Sequence, residues 1–172
     1  MIDTPALRWH LARFTDLSAD HLYDLLRLRS EVFVVEQDCA YLDIDGKDRH
    51  PEAWHLLGLA PDGSLVAYLR IMPPGLGHGS GDFAEPSIGR VVTAPGWRGK
   101  GLGDPLLREG IALAEREWPG TPIRLGAQSH LQHYYARHGF VPASEPYVED
   151  GIPHVEMLRP GHHETHPHKE PS

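Results

Sequence analysis

"VVTAPGWRGKGLGDPLL", residues 91–107, places glycines at 99, 101 and 103 and interleaves Arg98 and Lys100 with them. "SIGRVVT" (87–93) reads as a strand that enters this stretch. A helix leaves it, because Leu107, Ile111, Ala114 and Trp118 recur at helical spacing. Glycines remove the Cβ atoms that would keep the backbone away from a ligand. The first N–H groups of a helix have no intrahelical partner and attract anions. Pro105 is tolerated there, since a first-turn N–H would be unpaired anyway. The expected ligand is a phosphate or pyrophosphate. A glycine turn without any ligand is the competing reading.

Spacing narrows the choice. A dinucleotide fold wants G-x-G-x-x-G near its first strand. Here the pattern is G-x-G-x-G, and it follows several strands. A nucleotide P-loop wants G-x-x-x-x-G-K-[ST], and no such Lys-Ser or Lys-Thr is present. What remains is the Arg-Gly-x-Gly-x-Gly loop that grips the pyrophosphate of coenzyme A.

The chain has 172 residues, 40% hydrophobic and 23% charged, which suits one domain with an ordinary core. The net charge of −8 argues against general binding to nucleic acid or anionic membrane. Cys39 is the single cysteine, which excludes an internal disulfide and fits a reducing compartment. No signal peptide is evident, and no run reaches the ~20 apolar residues of a membrane span. The expectation is a soluble, cytoplasmic, single-domain protein.

Residues 7–14 read as an opening strand. "SADHLYDLLRLRSEVFVVEQ" (18–37) reads as a helix with Ser18 as N-cap. Arg29 and Glu36 fall on its apolar stripe. Either they point inward beside a polar site, or Arg29 packs its stem and keeps its head in water. "DCAYLDIDGKDRHPE" (38–52) lacks the later ligands of a calcium loop, so Asp38, Asp43, Asp45 and Asp48 read as a solvated acidic loop near a cationic substrate. Residues 53–60 and 64–72 flank the turn "PDG" as hairpin strands, and 73–86 form a surface loop. "IRLGA" (123–127) is another strand. "SHLQHYYARHGF" (129–140) is a short helix with a Ser129/Gln132 capping box and a Gly139 stop. "GIPHVEML" (151–158) is the last strand. Residues 1–158 are then the domain, and 159–172 a His- and Pro-rich disordered tail. The order predicts an α/β (α+β) fold, a mixed central sheet of six or seven strands flanked by helices.

The stretch 91–107 resembles the acetyl-CoA signature of the GNAT N-acetyltransferase superfamily, and "YARHGF" (135–140) resembles its second signature, Y-x-x-x-G-F. "LRLRSEVFVVEQDCAYLDIDGKD", "LGAQSHLQHYYARHGF" and "EDGIPH" are similar to the bacterial ElaA-type branch. The likeness covers residues 7–158. Asp104-Pro105 is a departure, where relatives often carry ordinary helix formers.

The resemblance implies transfer of an acetyl group from acetyl-CoA to an amine by direct attack on the thioester. The N–H groups of Arg98, Gly99, Lys100, Gly101, Leu102 and Gly103 would hold the pyrophosphate. A backbone N–H of Val91 or Val92 would polarise the thioester carbonyl, and Thr93 would lie along the pantetheine arm. Tyr135 would return a proton to the leaving thiolate, with Tyr134 as the fallback. Glu36, His154 and His55 are candidates for the base that neutralises the amine. Cys39 lacks an evident base and reads as inert. No metal is required, although the tail histidines could hold one loosely. The acceptor is a small-molecule or peptide amine, with no nucleic-acid or membrane partner, and the oligomeric state is not readable from the sequence, a homodimer being one option. The alternative is a CoA-binding regulatory module on the same fold with little turnover.

Overall fold

The structure, a computed structural model, describes residues 4–76 and 83–162. The tail beyond His162 lies outside the described residues, as does most of the glycine-rich part of the 73–86 loop. Four strands form an antiparallel meander: β1 (Arg8–Ala12), β2 (Trp54–Leu59), β3 (Leu65–Met72) and β4 (Ser87–Thr93). β5 (Ile123–Gln128), β6 (Val141–Pro142), β7 (Tyr147–Glu149) and β8 (Ile152–Arg159) form a second antiparallel group centred on β8. One parallel contact, β4 beside β5, joins the two groups into a mixed sheet of eight strands.

The α/β architecture is as expected, with eight strands rather than six or seven. The additional ones are the short β6 and β7. The signal for β7 was present. Asp150-Gly151 is a dipeptide suited to a two-residue hairpin turn, and both residues have positive φ, 49° and 77°.

β3 explains the layering. Every residue from Val66 to Met72 is buried, so both faces of the strand are covered. Leu56, Leu69 and Ile71 pack with Leu106, Leu107, Ile111 and Ala114 of α2 (Gly103–Glu117). The adjacent Leu57 and Tyr68 turn the other way and pack with Leu25 and Leu28 of α1 (Ala19–Arg29). This is the period of two that a strand imposes. Gly110 lets α2 approach, since a Cβ there would lie 2.8 Å from Leu69 Cδ2.

Two helix expectations need adjustment. Ser18 does cap α1, its side chain accepting from the His21 N–H at 3.0 Å. The helix then widens into a π turn over Ser30–Glu36, where Gln37 N–H reaches Val32 O at 3.1 Å and Cys39 N–H reaches Val34 O at 3.0 Å. The second adjustment concerns 129–140. Ser129–Leu131 is a 3-10 turn, and α3 (Gln132–Ala136) begins only after it. Ser129 therefore makes no capping bond to α3, and its buried hydroxyl has no partner among the described residues. Gly139 does supply the left-handed stop, at φ 88°.

Candidate active site

β4 and β5 touch at only one pair, Ser87 opposite Arg124, and beyond it they part. A cleft of about 620 Å³ opens between them. Gly89, Arg90, Val91, Val92 and Thr93 line one wall. Leu125, Gly126 and Gln128 line the other. Strands that part leave backbone N–H and C=O groups available to an extended ligand.

β4 is also bulged. Tyr68 pairs with Val92 and Arg70 with Gly89, so the single residue Leu69 faces both Arg90 and Val91. Arg90 sits in the left-handed region, at φ 51°. Past the bulge, Ala94 N–H bonds Val66 O at 2.8 Å. Alternation along the ladder turns the Val92 N–H toward β3 as well, and the Thr93 N–H toward the cleft.

The glycine loop runs from the end of β4 to the start of α2. Gly99 and Gly101 have φ of 75° and 73°, which side chains rarely adopt. A Cβ on Gly103 would lie 2.7 Å from Tyr134 Oη. No backbone bond takes up the amides of Gly99, Lys100, Gly101, Leu102 or Gly103 among the described residues. These unpaired donors at a helix start suit a diphosphate. Arg98 lines the cleft and donates to Glu36 at 2.6 Å. Lys100 lies 4.7 Å over the Trp97 ring. Asp104, the departure in the first turn of α2, is turned to α3. His138 Nε2 is 2.9 Å away and Arg137 Nη2 is 3.5 Å away. The His138 bond comes first among the causes that hold the Asp104 carboxyl below its ordinary range.

Tyr135 reaches the cleft while only 7% exposed, braced by Phe140 at 6.2 Å between ring centroids. Burial pushes its phenol well up, so it carries its proton at neutral pH. Tyr134 turns instead toward Gly103 and has a buried hydroxyl without a partner among the described residues. Burial, then the Asp104 charge, pushes that phenol up to about 12.

The base candidates separate. Glu36 lines the cleft mouth, paired with Arg98. His154 also lines the cleft, with Nδ1 2.7 Å from Ile152 O. A carbonyl can only accept, so Nδ1 carries a hydrogen, and Nε2 is the nitrogen that bears the lone pair in the neutral ring. His55 does not reach the cleft. It is fully buried, with Tyr68 Oη at 2.7 Å and Asp48 O at 2.9 Å. Cys39 lines the cleft and lies 3.2 Å from Asp150 O. Burial, with the Asp150 and Asp38 charges, pushes its thiol up, away from the reactive thiolate.

The acidic loop differs most from expectation. Asp38 is exposed as expected, but Asp43 and Asp48 are buried, Asp45 is half-buried, and three arginines pair with these last three. Arg29, at 0% exposure, lies 2.9 Å from Asp43 and 2.7 Å from Asp48. Arg70 pairs with Asp45 and Asp48, each at 2.9 Å. Arg90 pairs with Asp43 at 2.8 Å. Arg29 is thus inward, but inside a structural network rather than at the cleft. Arg70 and Arg90 carried no expectation. The available signal was Arg70 itself, a charge inside the apolar run "VAYLRIM", which needs a counter-charge once buried. Gln128 and His130 also line the cleft without having been anticipated.

Among the described residues, no group of three or more His, Cys, Asp or Glu is placed to hold a metal, and no helix is long and apolar enough to cross a membrane.

A mixed sheet opened between two parallel strands, with a glycine loop at a helix start beside the opening, is the architecture of the GNAT fold class. The chain belongs to the acetyltransferase (GNAT) domain family, which matches residues 50–159. It is 44% identical over 154 residues to Protein ElaA of Escherichia coli K12, covering 89% of this chain and 96% of that one. A UPF0039 protein of Mycobacterium bovis is 44% identical over 158 residues, covering 92% and 95%. Among solved structures, an acyl-CoA N-acyltransferase from Pseudomonas aeruginosa superposes with a TM-score of 0.82 at 46% identity, covering 90% of this chain and 99% of that one. Escherichia coli ElaA superposes at 0.80 with 42% identity, covering 90% and 99%.

Proposed function

We propose that this chain moves an acetyl group from acetyl-CoA to an amine by direct attack of the amine on the thioester. The observation that carries the reading is the joining of three features in one place. The parted and bulged β4 edge and Tyr135 line one cleft, and Arg98 on its wall leads directly into the glycine loop with its unpaired amides.

The roles follow from position. Amides from Gly99 to Gly103 hold the diphosphate of the acyl donor, the Arg98 N–H being taken up by Pro95 O at 3.4 Å, and the Arg98 and Lys100 side chains add charge. Thr93 faces the pantetheine arm. Val91 is favoured over Val92 as the amide that polarises the thioester carbonyl, because the Val92 N–H faces β3. His154 Nε2 is favoured over Glu36 as the group that takes the amine proton, since Glu36 is engaged by Arg98. The new N–C bond forms as the C–S bond breaks, and Tyr135 supplies the proton that converts the thiolate to thiol.

The cleft also bears on the acceptor. Its cations Arg90 and Arg98 are both paired with carboxylates. Glu149 and Asp150, at the β7–β8 turn, line it with no cationic partner among the described residues. The acceptor is therefore a small-molecule or peptide amine with a further positive charge near the reacting nitrogen.

The test is release of thiol from acetyl-CoA across a panel of diamines, amino-acid amides, basic peptides and acidic amines. Cationic members should turn over best. Tyr135→Phe should lower kcat by about 10²–10⁴-fold while acetyl-CoA affinity holds. Binding of acetyl-CoA with no turnover on any amine would leave a CoA-binding module without catalysis. Absence of binding in calorimetry would remove both readings.

A further inference from the structure

Arg90 occupies a backbone conformation that glycine accepts freely and other residues avoid. Gly89 stands one position earlier and does not have positive φ. Something must therefore hold the arginine, and the hold is visible in its side chain. Its Nε lies 2.8 Å from Asp43 Oδ1. Its Nη2 donates to Asp43 O at 3.0 Å and lies 3.4 Å from Asp45 Oδ2.

The aspartates are themselves anchored in the core. Asp43 Oδ2 accepts from Arg29 Nε of α1 at 2.9 Å, and Asp43 Oδ1 accepts from Tyr41 Oη at 3.0 Å. Asp45 accepts two bonds from Arg70 of β3, each at 2.9 Å. The Arg90 guanidinium also lies 5.7 Å over the Tyr41 ring. The loop thus runs from two core elements to the one left-handed residue of β4, and stops there.

We propose that Asp43 and Asp45 are positioning residues that act through Arg90. They hold the β4 bulge in its left-handed form, and so aim the Val91 amide at the thioester carbonyl. This rests on the reading of β4 given under the proposed function. The acidic loop then serves catalysis from outside the reacting centre, without meeting the substrate.

Arg90 also lines the cleft, so a direct contact with the acceptor is the competing role. Two substitutions separate the roles. Both Arg90→Gly and Arg90→Ala remove the guanidinium, but only glycine accepts the left-handed backbone unaided. Arg90→Ala should lower kcat by about 10²-fold, the scale of a misplacement of about 1 Å. Arg90→Gly should keep most of the kcat. KM for acetyl-CoA should change little in either, because the glycine loop is untouched.

Asp45→Asn extends the test if Arg90→Ala does not fold. It should lower kcat in the wild-type background and cost nothing more in the Arg90→Gly background. In ligand-free protein, the Val91 amide resonance should shift in Asp45→Asn and stay near its wild-type position in Arg90→Gly. Equal losses in Arg90→Gly and Arg90→Ala, or an Asp45→Asn loss that persists beside Arg90→Gly, would overturn the inference while leaving the proposed function standing. Wild-type protein that binds acetyl-CoA but acetylates no amine would overturn both.

Discussion

Replacing Arg29 by methionine should be among the most damaging single changes in the molecule, and its size can be worked from the contacts. The side chain is at 0% exposure and reaches two carboxylates, 2.9 and 2.7 Å away, while also donating to Asp43 O at 2.8 Å. Removing one partner from a buried ion pair costs about 3–5 kcal/mol, because the charge left behind stays buried. Here neither aspartate is fully orphaned. Asp43 keeps Arg90 and Asp48 keeps Arg70, which places the cost near the low end, about 3 kcal/mol. A domain of this size holds about 5–15 kcal/mol in total, so this is a large share. The melting temperature should fall by about 6–12 °C, at about 2–4 °C per kcal/mol. Urea unfolding followed by circular dichroism measures the loss directly, with an unchanged m-value showing that the denatured state is the same. Arg29→Met combined with Asp48→Asn should recover part of the loss by removing one uncompensated charge. A loss under about 1 kcal/mol, the scale of an exposed pair, would refute the claim that this network is buried and energetically coupled.

Two further outcomes concern stability. Gly110→Val should destabilise by about 1–3 kcal/mol, measured by the same unfolding assay, because its Cβ would begin 2.8 Å from the buried Leu69; an unchanged midpoint would mean that α2 does not press on β3. Acid should also weaken the fold. Burial alone would raise the Asp45 carboxyl, but the hydrogen bonds and charge of Arg70 outweigh it and hold it at about 2, below the ordinary 3.8. Asp48 is lowered likewise, burial being outweighed by Arg29 and Arg70. Folded values below unfolded ones mean that their stabilisation is full above about pH 4 and lost as pH falls toward 2. Unfolding free energies measured between pH 2 and 6 should show that limb, and Asp45→Asn should flatten it; a flat wild-type profile would contradict the assignment.

What was legible in the chain and what was not divide along a physical line. The donor side of the cleft is written in local sequence. Positive φ and close packing demand missing side chains, and Gly99, Gly101 and Gly103 record those demands within five residues, the first two by their φ and the third by its approach to Tyr134. Ser18 and Gly139 mark helix ends for the same reason, since a cap is a contact between near neighbours. The 38–52 loop had no such record. Its aspartates look like any solvated turn until their partners are known, and those partners are distant: Arg70 is 22 residues from Asp48, and Arg90 is 47 from Asp43. No periodicity links residues across such gaps. The β4 bulge was hidden for a second reason. Glycine is the residue expected at positive φ, and Gly89 invites that reading, yet the strained residue is its neighbour. Only the network explains how an arginine can stand there. Its three arginines and three aspartates balance in formal charge, and each aspartate bridges two arginines. The same loop therefore secures the core and aims the backbone at the cleft. Variants of its aspartates should split by readout: Asp48, which does not touch Arg90, belongs to stability, whereas Asp43 and Asp45 belong to both stability and turnover.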